Sequence, residues 1–494
     1  MEKSLFLRNT SFFSLLIFLQ FPLFYLLFKV SWSELSFDQQ LFSVFLGAFE
    51  QSFFSLLLSL FFGFLGSLGL LWTQSKLHGR WSQFLDFAIL CPSFLPPLVV
   101  VLLSAVSLGF LPVGLWGIVF FHTLMNVGLV SVFFYDIFQQ KIHGLVEESM
   151  VMGVGSWKTI VKGLLPSLLP DILSVGFFLF VLFFFSFSIP LLVGGAYYGG
   201  PEVFIYEKIL YGGQWAQALQ YSLLFFLLLI VVARFMNLRQ FQSTAPRPVS
   251  KLIINFFGAR YFFLIPFLPL GLLAVGFLLQ FAKIDRSLLS GGLLTAARET
   301  LLFGLLTGGG LFVLMLVVSF CFVSQRKSRF LLAMVHPGWV LVAFAFLLMP
   351  GQGGFLEILK ICLALSILYF PFLYRMSLHR SLEDLRNQIG VARSFPAPWH
   401  AVVFHIIWPQ VFPTICFMAS IAAVWACGDF GVVGVVSASG EVSGLAVEMQ
   451  SLMANYRLGE AMSLLPPLLA LSLIVFSIFQ GISIVGRREL SKRT

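Results

Sequence analysis

Few side chains in this sequence have the type and spacing that catalysis requires. The seven histidines and five cysteines are scattered without metal-ligand spacing. No glycine-rich loop ending in Lys and then Ser or Thr occurs, so the phosphate-binding loop of ATPases is missing. Asp429-Phe430-Gly431 has the letters of a kinase metal motif, but the other kinase motifs are absent from the sequence. We therefore predict that the chain is not an enzyme and has no catalytic residue, cofactor or metal.

The most distinctive pattern of charged, glycine and proline residues lies at 145–166. Glu147 and Glu148 are predicted to stand near the start of a short helix, where carboxylates favour the helix dipole. Gly153 permits a sharp turn or a close backbone approach. Pro166 is predicted to begin the next helix, where a missing N–H has no consequence. The sequence therefore predicts a short helix along the surface of the membrane, followed by a turn.

A second, degenerate copy of this segment lies at 388–409. Pro409 follows Gly390 at the same spacing as Pro166 follows Glu147, and each pair is separated from the other by the same 243 positions. The positions of the second segment that match the pattern are Gly390, Ala392, Arg393, Pro396 and Pro409. Gly390 stands at the position that corresponds to Glu147. We therefore expect the second segment to make a weaker contact with a partner protein than the first segment makes.

The elements that position these segments are predicted to be membrane-spanning helices. Of the 494 residues, 59% are hydrophobic and 10% are charged, whereas soluble domains carry about 25% charged residues. A spanning helix satisfies its own backbone and needs about 20 apolar residues. The sequence has about twelve apolar runs of this kind, near 11–32, 48–72, 84–110, 113–138, 167–194, 217–237, 261–282, 297–323, 331–350, 354–378, 410–437 and 461–486.

The predicted fold class is an all-α polytopic membrane protein with two parallel six-helix repeats, at 1–245 and 246–494. A polar, proline-containing stretch around 234–260 is predicted to link them. Most Lys and Arg residues fall on one side if both termini are cytoplasmic. The net charge of +9 then reflects basic cytoplasmic loops, and no nucleic-acid partner is expected.

Two features inside the apolar runs are predicted to be structural. The triplet Gly308-Gly309-Gly310 favours close helix packing. His122 lies within a predicted span, and we expect it to be a hydrogen-bonded core residue rather than a ligand.

The first segment closely resembles the EAA loop of the membrane-spanning permeases of binding-protein-dependent ABC importers. In that family a Glu is followed six residues later by Gly, and Leu-Pro follows thirteen residues after the Gly. Glu147, Gly153, Leu165 and Pro166 fit both spacings, and Trp157 stands where the family often has an aromatic residue. The resemblance implies a bacterial inner-membrane protein with both termini cytoplasmic. Its implied partners are a cytoplasmic ABC ATPase dimer docked on the two loops, a periplasmic or extracytoplasmic solute-binding protein, and the lipid bilayer.

A closer resemblance rests on the segments 194–201 and 428–433. These look like segments of the fused permeases for thiamine, with the ferric-iron permeases close behind. The resemblance implies that the chain transports a small solute, thiamine first and ferric iron as the alternative.

Asp429 is the candidate residue for the translocation path. An ionisable group at membrane depth is a functional candidate, and the repeat spacing pairs Asp429 with Ser186. Phe187 and Phe430 follow these two residues, and their rings could attract a cation. The alternative is that Asp429 caps a helix or pairs locally.

A function of another class is an ion-coupled secondary transporter. It predicts buried charge pairs and needs no docking loop, so the pattern at 145–166 favours the ABC permease.

The predicted topology can be tested with reporter fusions after Ser156 and after Ala397. An even number of predicted spans separates each position from the cytoplasmic N-terminus. We therefore expect a cytoplasmic signal from both fusions. A periplasmic signal at either position would contradict the parallel repeat.

Overall fold

Helices account for every regular element that the structure, a computed structural model, describes. It describes residues 2–29, 40–76, 80–195, 198–235, 259–281, 291–321, 338–351, 353–394, 398–437, 442–455 and 457–491, and these include no β-strand. The all-α prediction is confirmed. The predicted linker between the halves falls largely at 236–258, outside the described residues.

The α-helices are numbered here in chain order. They are α1 Glu2–Lys29, α2 Gln40–Lys76, α3 Arg80–Phe94, α4 Pro97–Leu108, α5 Gly114–Val151, α6 Ser156–Lys158, α7 Leu165–Phe184, α8 Ser188–Val193, α9 Pro201–Leu210, α10 Trp215–Phe235, α11 Leu268–Phe281, α12 Gly291–Cys321, α13 Trp339–Leu348, α14 Gly354–Leu373, α15 His379–Asp384, α16 Arg386–Ser394, α17 Trp399–Val402, α18 Trp408–Cys427, α19 Gly431–Val436, α20 Leu445–Ala454, α21 Leu458–Ser463 and α22 Leu465–Ser491. Short 3₁₀ turns cover Ala259–Phe262 and Ile265–Phe267, and π-turns cover Thr159–Leu164, Tyr374–Leu378 and Val403–Ile407.

Many of these helices are long and apolar enough to cross a membrane. Within the described residues there are nine such spans, or ten if α3 and α4, which bend by 98° at their junction, form one broken span. The protein is therefore an integral membrane protein of the polytopic class. The count of about twelve stays a prediction, since the run predicted near 331–350 contains the ten-residue α13 and residues outside the described ranges.

The helices pack as two compact units that differ from the two halves of the sequence. The N-terminal unit contains α2 to α8 together with α11, and the C-terminal unit contains α1 together with α12 to α22. Helices α9 and α10 each have residues in both units. The first spanning helix of each predicted half thus packs among helices of the other half.

In the C-terminal unit, α1 is held against α13 by apolar contacts and by one hydrogen bond. Leu26 packs in a buried cluster with Leu341 and Ala345, and the Tyr25 hydroxyl donates to the Leu348 carbonyl at 2.9 Å. Lys360 donates its ammonium group to the next carbonyls, those of Met349 at 2.6 Å and Gly351 at 2.7 Å. These donors satisfy carbonyl groups that the end of a helix leaves without partners.

In the N-terminal unit, small residues bring helix backbones close together. A Cβ atom at Gly63 would overlap Val130 of α5, and one at Gly128 would overlap the backbone carbonyl of Ile89 in α3. Without a hydrophobic drive in lipid, helices associate through such close packing.

The glycine triplet of α12, Gly308-Gly309-Gly310, also allows neighbouring side chains to approach the helix backbone closely. A Cβ at Gly308 would lie 2.5 Å from the ring of Phe479, and one at Gly310 would lie 2.6 Å from Ser366 Oγ. At Gly309 it would meet no described atom within 4 Å. The predicted packing role is therefore confirmed for Gly308 and Gly310.

We expect Gly128→Ala to lower the thermal stability of the purified permease, because the added methyl group overlaps a backbone carbonyl that cannot rotate away. Overpacking of this kind typically costs about 1–3 kcal/mol. The matched control is Gly47→Ala, since a Cβ at Gly47 meets no described atom within 4 Å. Melting in detergent followed by size-exclusion chromatography measures both variants. Equal melting temperatures for the two would contradict this packing.

Candidate functional site

The segment 145–166 joins two long helices through a turn of four residues. Helix α5 continues to Val151, the turn covers 152–155, and α6 begins at Ser156. Glu147 and Glu148 therefore lie near the C-terminal end of α5, so the prediction that they begin a short helix was wrong. The apolar helix simply continues until a glycine stops it, and the dipole there does not favour carboxylates.

Gly153 ends α5 in a left-handed conformation. Its φ angle is +68°, and the N–H of Val154 donates to the carbonyl of Ser149 at 2.8 Å. This hydrogen bond, from the residue after the glycine back to the last turn, is the Schellman arrangement. The predicted sharp turn is therefore present, and its physical reason is a backbone conformation that disfavours every residue with a Cβ.

Pro166 is the second residue of α7, so the prediction that it begins the next helix is confirmed. The helical segment nevertheless extends back through a π-turn and α6 to Ser156. A π-turn precedes it, in which Leu165 donates its N–H to the carbonyl of Ile160. Proline lacks an N–H and its ring excludes the carbonyl four residues earlier. The wider turn accommodates this gap without ending the helix.

Apolar side chains at the turn are exposed. Val151 is 88% exposed and Met152 is 77% exposed, and the neighbouring Glu148 is exposed as well. An exposed pair of large apolar side chains at a rigid turn is typical of a surface that docks a partner.

Trp157 belongs to a different surface. It is exposed and begins a stripe at intervals of four residues. The other exposed members of this stripe are Val161, Leu165, Leu169 and Leu173. A stripe of this kind along an apolar helix is typical of a lipid-facing surface, and a tryptophan at its end suits the membrane interface.

The second segment, 388–409, repeats the π-turn that precedes the proline. Gly390, Ala392 and Arg393 lie on α16, while Pro396 is outside the described residues. Trp408 donates its N–H to the carbonyl of Val403 in a π-turn before Pro409. An amide hydrogen bond from Gln410 to Gln388, at 2.9 Å, connects α18 to α16.

The helix bounds of the two segments coincide after a shift of 243 residues. Helices α7 and α8 at 165–184 and 188–193 correspond to α18 and α19 at 408–427 and 431–436. The ends of α5 and α16, at Val151 and Ser394, correspond in the same way. The two helix breaks at Ser186 and Asp429 are thus equivalent positions.

Asp429 lies in the break between α18 and α19 and caps α19. Its Oδ1 atom accepts hydrogen bonds from the N–H groups of Val432 at 2.8 Å and Val433 at 3.4 Å. Its Oδ2 atom accepts a longer hydrogen bond, 3.5 Å, from the hydroxyl of Tyr369. The alternative that Asp429 caps a helix therefore holds for its Oδ1 atom. The side chain as a whole is half-buried.

Sequence reasoning missed the aromatic residues near Asp429. The ring of Tyr369 lies 5.4 Å from that of Trp339 and 5.3 Å from that of Trp425, and Phe372 lies 5.3 Å from Trp425. Trp425 stands one helical turn before Asp429 and could have been found from the sequence. Tyr369 and Trp339 are distant in sequence, and no local signal indicates them.

Ser186 and the phenylalanines of the predicted path have different surroundings. Phe187 and Phe430 are almost fully buried, with 7% and 4% exposed. The carbonyl oxygen of Ser186 and the side-chain amide nitrogen of Gln51 both border Gly200, each 3.2 Å from the position that a Cβ would take there. The amide atoms of Gln51 have no hydrogen-bond partner among the described residues.

His122 of α5 is buried against Ser55, which lies one helical turn after Gln51 on α2. Ser55 Oγ lies 3.2 Å from its Nδ1 atom, and its ring stacks on Phe183 at 4.7 Å. Its Nε2 atom has no partner within the described part of the chain. The prediction of a bonded core histidine therefore holds for one ring nitrogen. No group of three His, Cys, Asp or Glu side chains that could hold a metal ion occurs among the described residues.

The comparison with known protein families concerns the region around the first segment. No curated protein and no solved structure matches the chain. Residues 66–240, which run from the middle of α2 to just beyond α10 and include Gly153 and its turn, match the family described as "Binding-protein-dependent transport system inner membrane component".

Proposed function

We propose that this chain is the permease subunit of a binding-protein-dependent ABC importer. The family match and the apolar helices support this class. The proposal places the chain in the bacterial inner membrane with both termini cytoplasmic. An ATPase dimer in the cytoplasm would drive it, and an extracytoplasmic binding protein would deliver the solute.

The observation that carries the proposal is the turn after α5 within the matched region. The turn is rigid because Gly153 and its Schellman hydrogen bond hold it. Its surface is also apolar, because Val151 and Met152 are exposed on it, and exposed apolar side chains favour contact with a partner protein. A protein that docks on a rigid, apolar turn between two long helices can displace the turn and thereby move both helices.

The equal helix bounds after a shift of 243 residues support two parallel halves, at 1–245 and 246–494, with a coupling loop in each. In this proposal ATP binding closes the ATPase dimer and moves both loops together. The halves then change between states that open the path to one side or the other. The chain supplies no ATP-binding motif, so the energy enters through the loops.

The proposed solute is thiamine, with ferric iron as the alternative. The proposed path includes Asp429 and its repeat equivalent Ser186, with Phe187 and Phe430 as flanking residues. Asp429 and Ser186 lie at helix breaks, and breaks in spanning helices are common at transport sites.

The role of the first loop can be tested with Gly153→Ala. A Cβ at either Gly153 or Gly155 meets no described atom within 4 Å, but only Gly153 has a positive φ. An L-residue in that conformation costs about 1–2 kcal/mol. We therefore expect Gly153→Ala to lower solute uptake and the ATPase activity stimulated by the loaded binding protein. Both activities are measured in proteoliposomes that contain permease and ATPase.

Gly155→Ala is the matched control for this experiment and should leave both activities unchanged. Equal activities for the two variants, at equal insertion, would contradict a coupling role for the turn. Uptake that continues without any ATPase would instead favour an ion-coupled secondary transporter.

A second prediction concerns the asymmetry of the two loops. Met152 at the first loop and Val391 on α16 at the second are both exposed, at 77% and 62%. We expect Met152→Asp to reduce the amount of ATPase retained on immobilised permease more than Val391→Asp does. The first loop keeps its glutamates and its glycine turn, whereas Gly390 stands in place of Glu147 in the second. Equal losses from the two variants would contradict the asymmetry.

A further inference from the structure

The helical segment that follows the turn at 152–155 carries two exposed lysines beside the apolar stripe that begins at Trp157. Lys158 and Lys162 are both exposed, and each follows directly after an exposed member of the stripe. Residues four apart on a helix are neighbours on its surface. A basic row and an apolar row therefore run side by side along the same segment.

The opposite side of this segment packs into the N-terminal unit. Thr159 is 2% exposed, and Leu168 belongs to a buried cluster against which Ile160 packs. Because these residues hold one side of the helix against the protein, the lysines and the stripe lie on the side that is turned away from the unit.

The two lysines are free to bind a ligand. Within the residues that the structure describes, neither Lys158 nor Lys162 forms a hydrogen bond or an ion pair with another side chain. An ammonium group at the surface of an apolar helix keeps its charge only where water or an anion reaches it. Both charges are therefore available to an anion from outside the chain.

The local fold does not require these charges. In the C-terminal unit, a shift of 243 residues places Ala401 and His405 at the positions of Lys158 and Lys162. The π-turn before the proline is nevertheless present in both segments. The pair of lysines in the first segment therefore serves something other than this turn.

The lysines lie at the depth of the lipid headgroups. The spanning part of the segment begins at Leu165. At about 1.5 Å per residue, Lys162 lies about 5 Å and Lys158 about 10 Å before it along the helix axis. The headgroup layer begins where the apolar span ends, and long lysine side chains extend toward it. A tryptophan such as Trp157 favours the same layer.

The combination of the two rows indicates a phospholipid rather than a soluble anion. A soluble anion would use the lysines alone, whereas the apolar stripe continues along α7 and is suited to acyl chains. Two positive charges without an acidic partner favour a headgroup with a net negative charge over a zwitterionic one.

We propose that Lys158, Lys162 and the apolar stripe that begins at Trp157 form a binding site for an anionic phospholipid. The phosphate of the headgroup contacts the two ammonium groups, and the acyl chains lie along the stripe on α7.

The test uses full-length permease in vesicles of phosphatidylcholine in which either brominated phosphatidylglycerol or brominated phosphatidylcholine is included. Bromine quenches tryptophan fluorescence on contact, and the difference between the wild type and Trp157→Phe isolates the signal of Trp157. We expect phosphatidylglycerol to bind beside Trp157 about tenfold more tightly than phosphatidylcholine, because each lysine near the membrane surface attracts anionic lipid. Equal quenching by the two lipids would overturn the proposal.

A soluble competitor distinguishes the lipid from a free anion. Glycerol 3-phosphate has the charged group of the headgroup without the acyl chains. We expect it to leave the quenching by brominated phosphatidylglycerol unchanged. Reversal of the quenching would show a site for a free anion and would overturn the lipid site.

Three variants separate the site from the general charge of the surface. Lys158→Gln with Lys162→Gln should abolish the preference for phosphatidylglycerol at an unchanged melting temperature, since neither side chain has a partner in the described part of the chain. Lys158→Arg with Lys162→Arg should keep the preference. The matched control is Lys76→Gln, which removes an exposed lysine from the last turn of α2 and should also keep it. An unchanged preference in the Gln pair, or an equal loss in Lys76→Gln, would overturn the site.

The lipid site is joined to the turn at 152–155, and its effect on coupling rests on the proposed function. Thr159 donates its N–H and its hydroxyl to the carbonyl of Gly155, at 3.1 and 3.3 Å. We therefore expect phosphatidylglycerol to raise the ATPase activity that the loaded binding protein stimulates. Lys158→Gln with Lys162→Gln should lose this increase. Equal activity of the wild type in the two lipids would overturn the effect on coupling.

Failure of this inference and failure of the proposed function give different results. If Trp157 shows no preference for phosphatidylglycerol but Gly153→Ala still uncouples the ATPase, the lipid site is wrong and the permease function stands. If the preference is present but no ATPase couples to the turn, the importer function is wrong and the lipid site stands.

Discussion

The structure depends on one constraint: inside a bilayer, every backbone N–H and carbonyl group needs a partner within the protein. Straight helices meet this need by themselves except at their ends, and at several of those ends a specific group satisfies the backbone. Gly153 closes α5 through a Schellman hydrogen bond, and Asp429 caps α19. Tyr25 and Lys360 donate to carbonyls at the end of α13, those of Leu348 and Met349. Two of the candidate functional positions, Gly153 and Asp429, lie at such helix ends.

The same constraint explains the two ways in which proline is used. Pro166 and Pro409 each follow a π-turn, so the helix continues past a residue that cannot donate an N–H. A continuous helix can carry a displacement from its surface end to its interior. In the first segment the helix therefore links the exposed turn at 152–155 to the break at Ser186. In the second segment α18 leads from the π-turn to the break at Asp429.

Helices α7 and α8 correspond in their bounds to α18 and α19, but the residues at the two helix breaks differ in chemistry. The N-terminal unit presents buried neutral polar groups, Gln51 and His122, on its long helices. The C-terminal unit presents a carboxylate among aromatic rings. A repeated architecture thus leaves room for one unit to specialise, because the packing of the helices depends on small residues elsewhere, such as Gly63 and Gly308.

The sequence by itself determined the helical class, most spans, the turn at Gly153 and the repeat spacing of 243. Each of these depends on residues that are neighbours in the chain, such as apolar runs and a glycine at a fixed distance from a proline. It misplaced Glu147, because no local signal shows that α5 continues as a helix to Val151. Only the tertiary structure decided that α1 and α11 pack in exchanged units and that Tyr369 reaches Asp429. Contacts between residues sixty positions apart depend on how closely whole helices approach, which a local pattern does not encode.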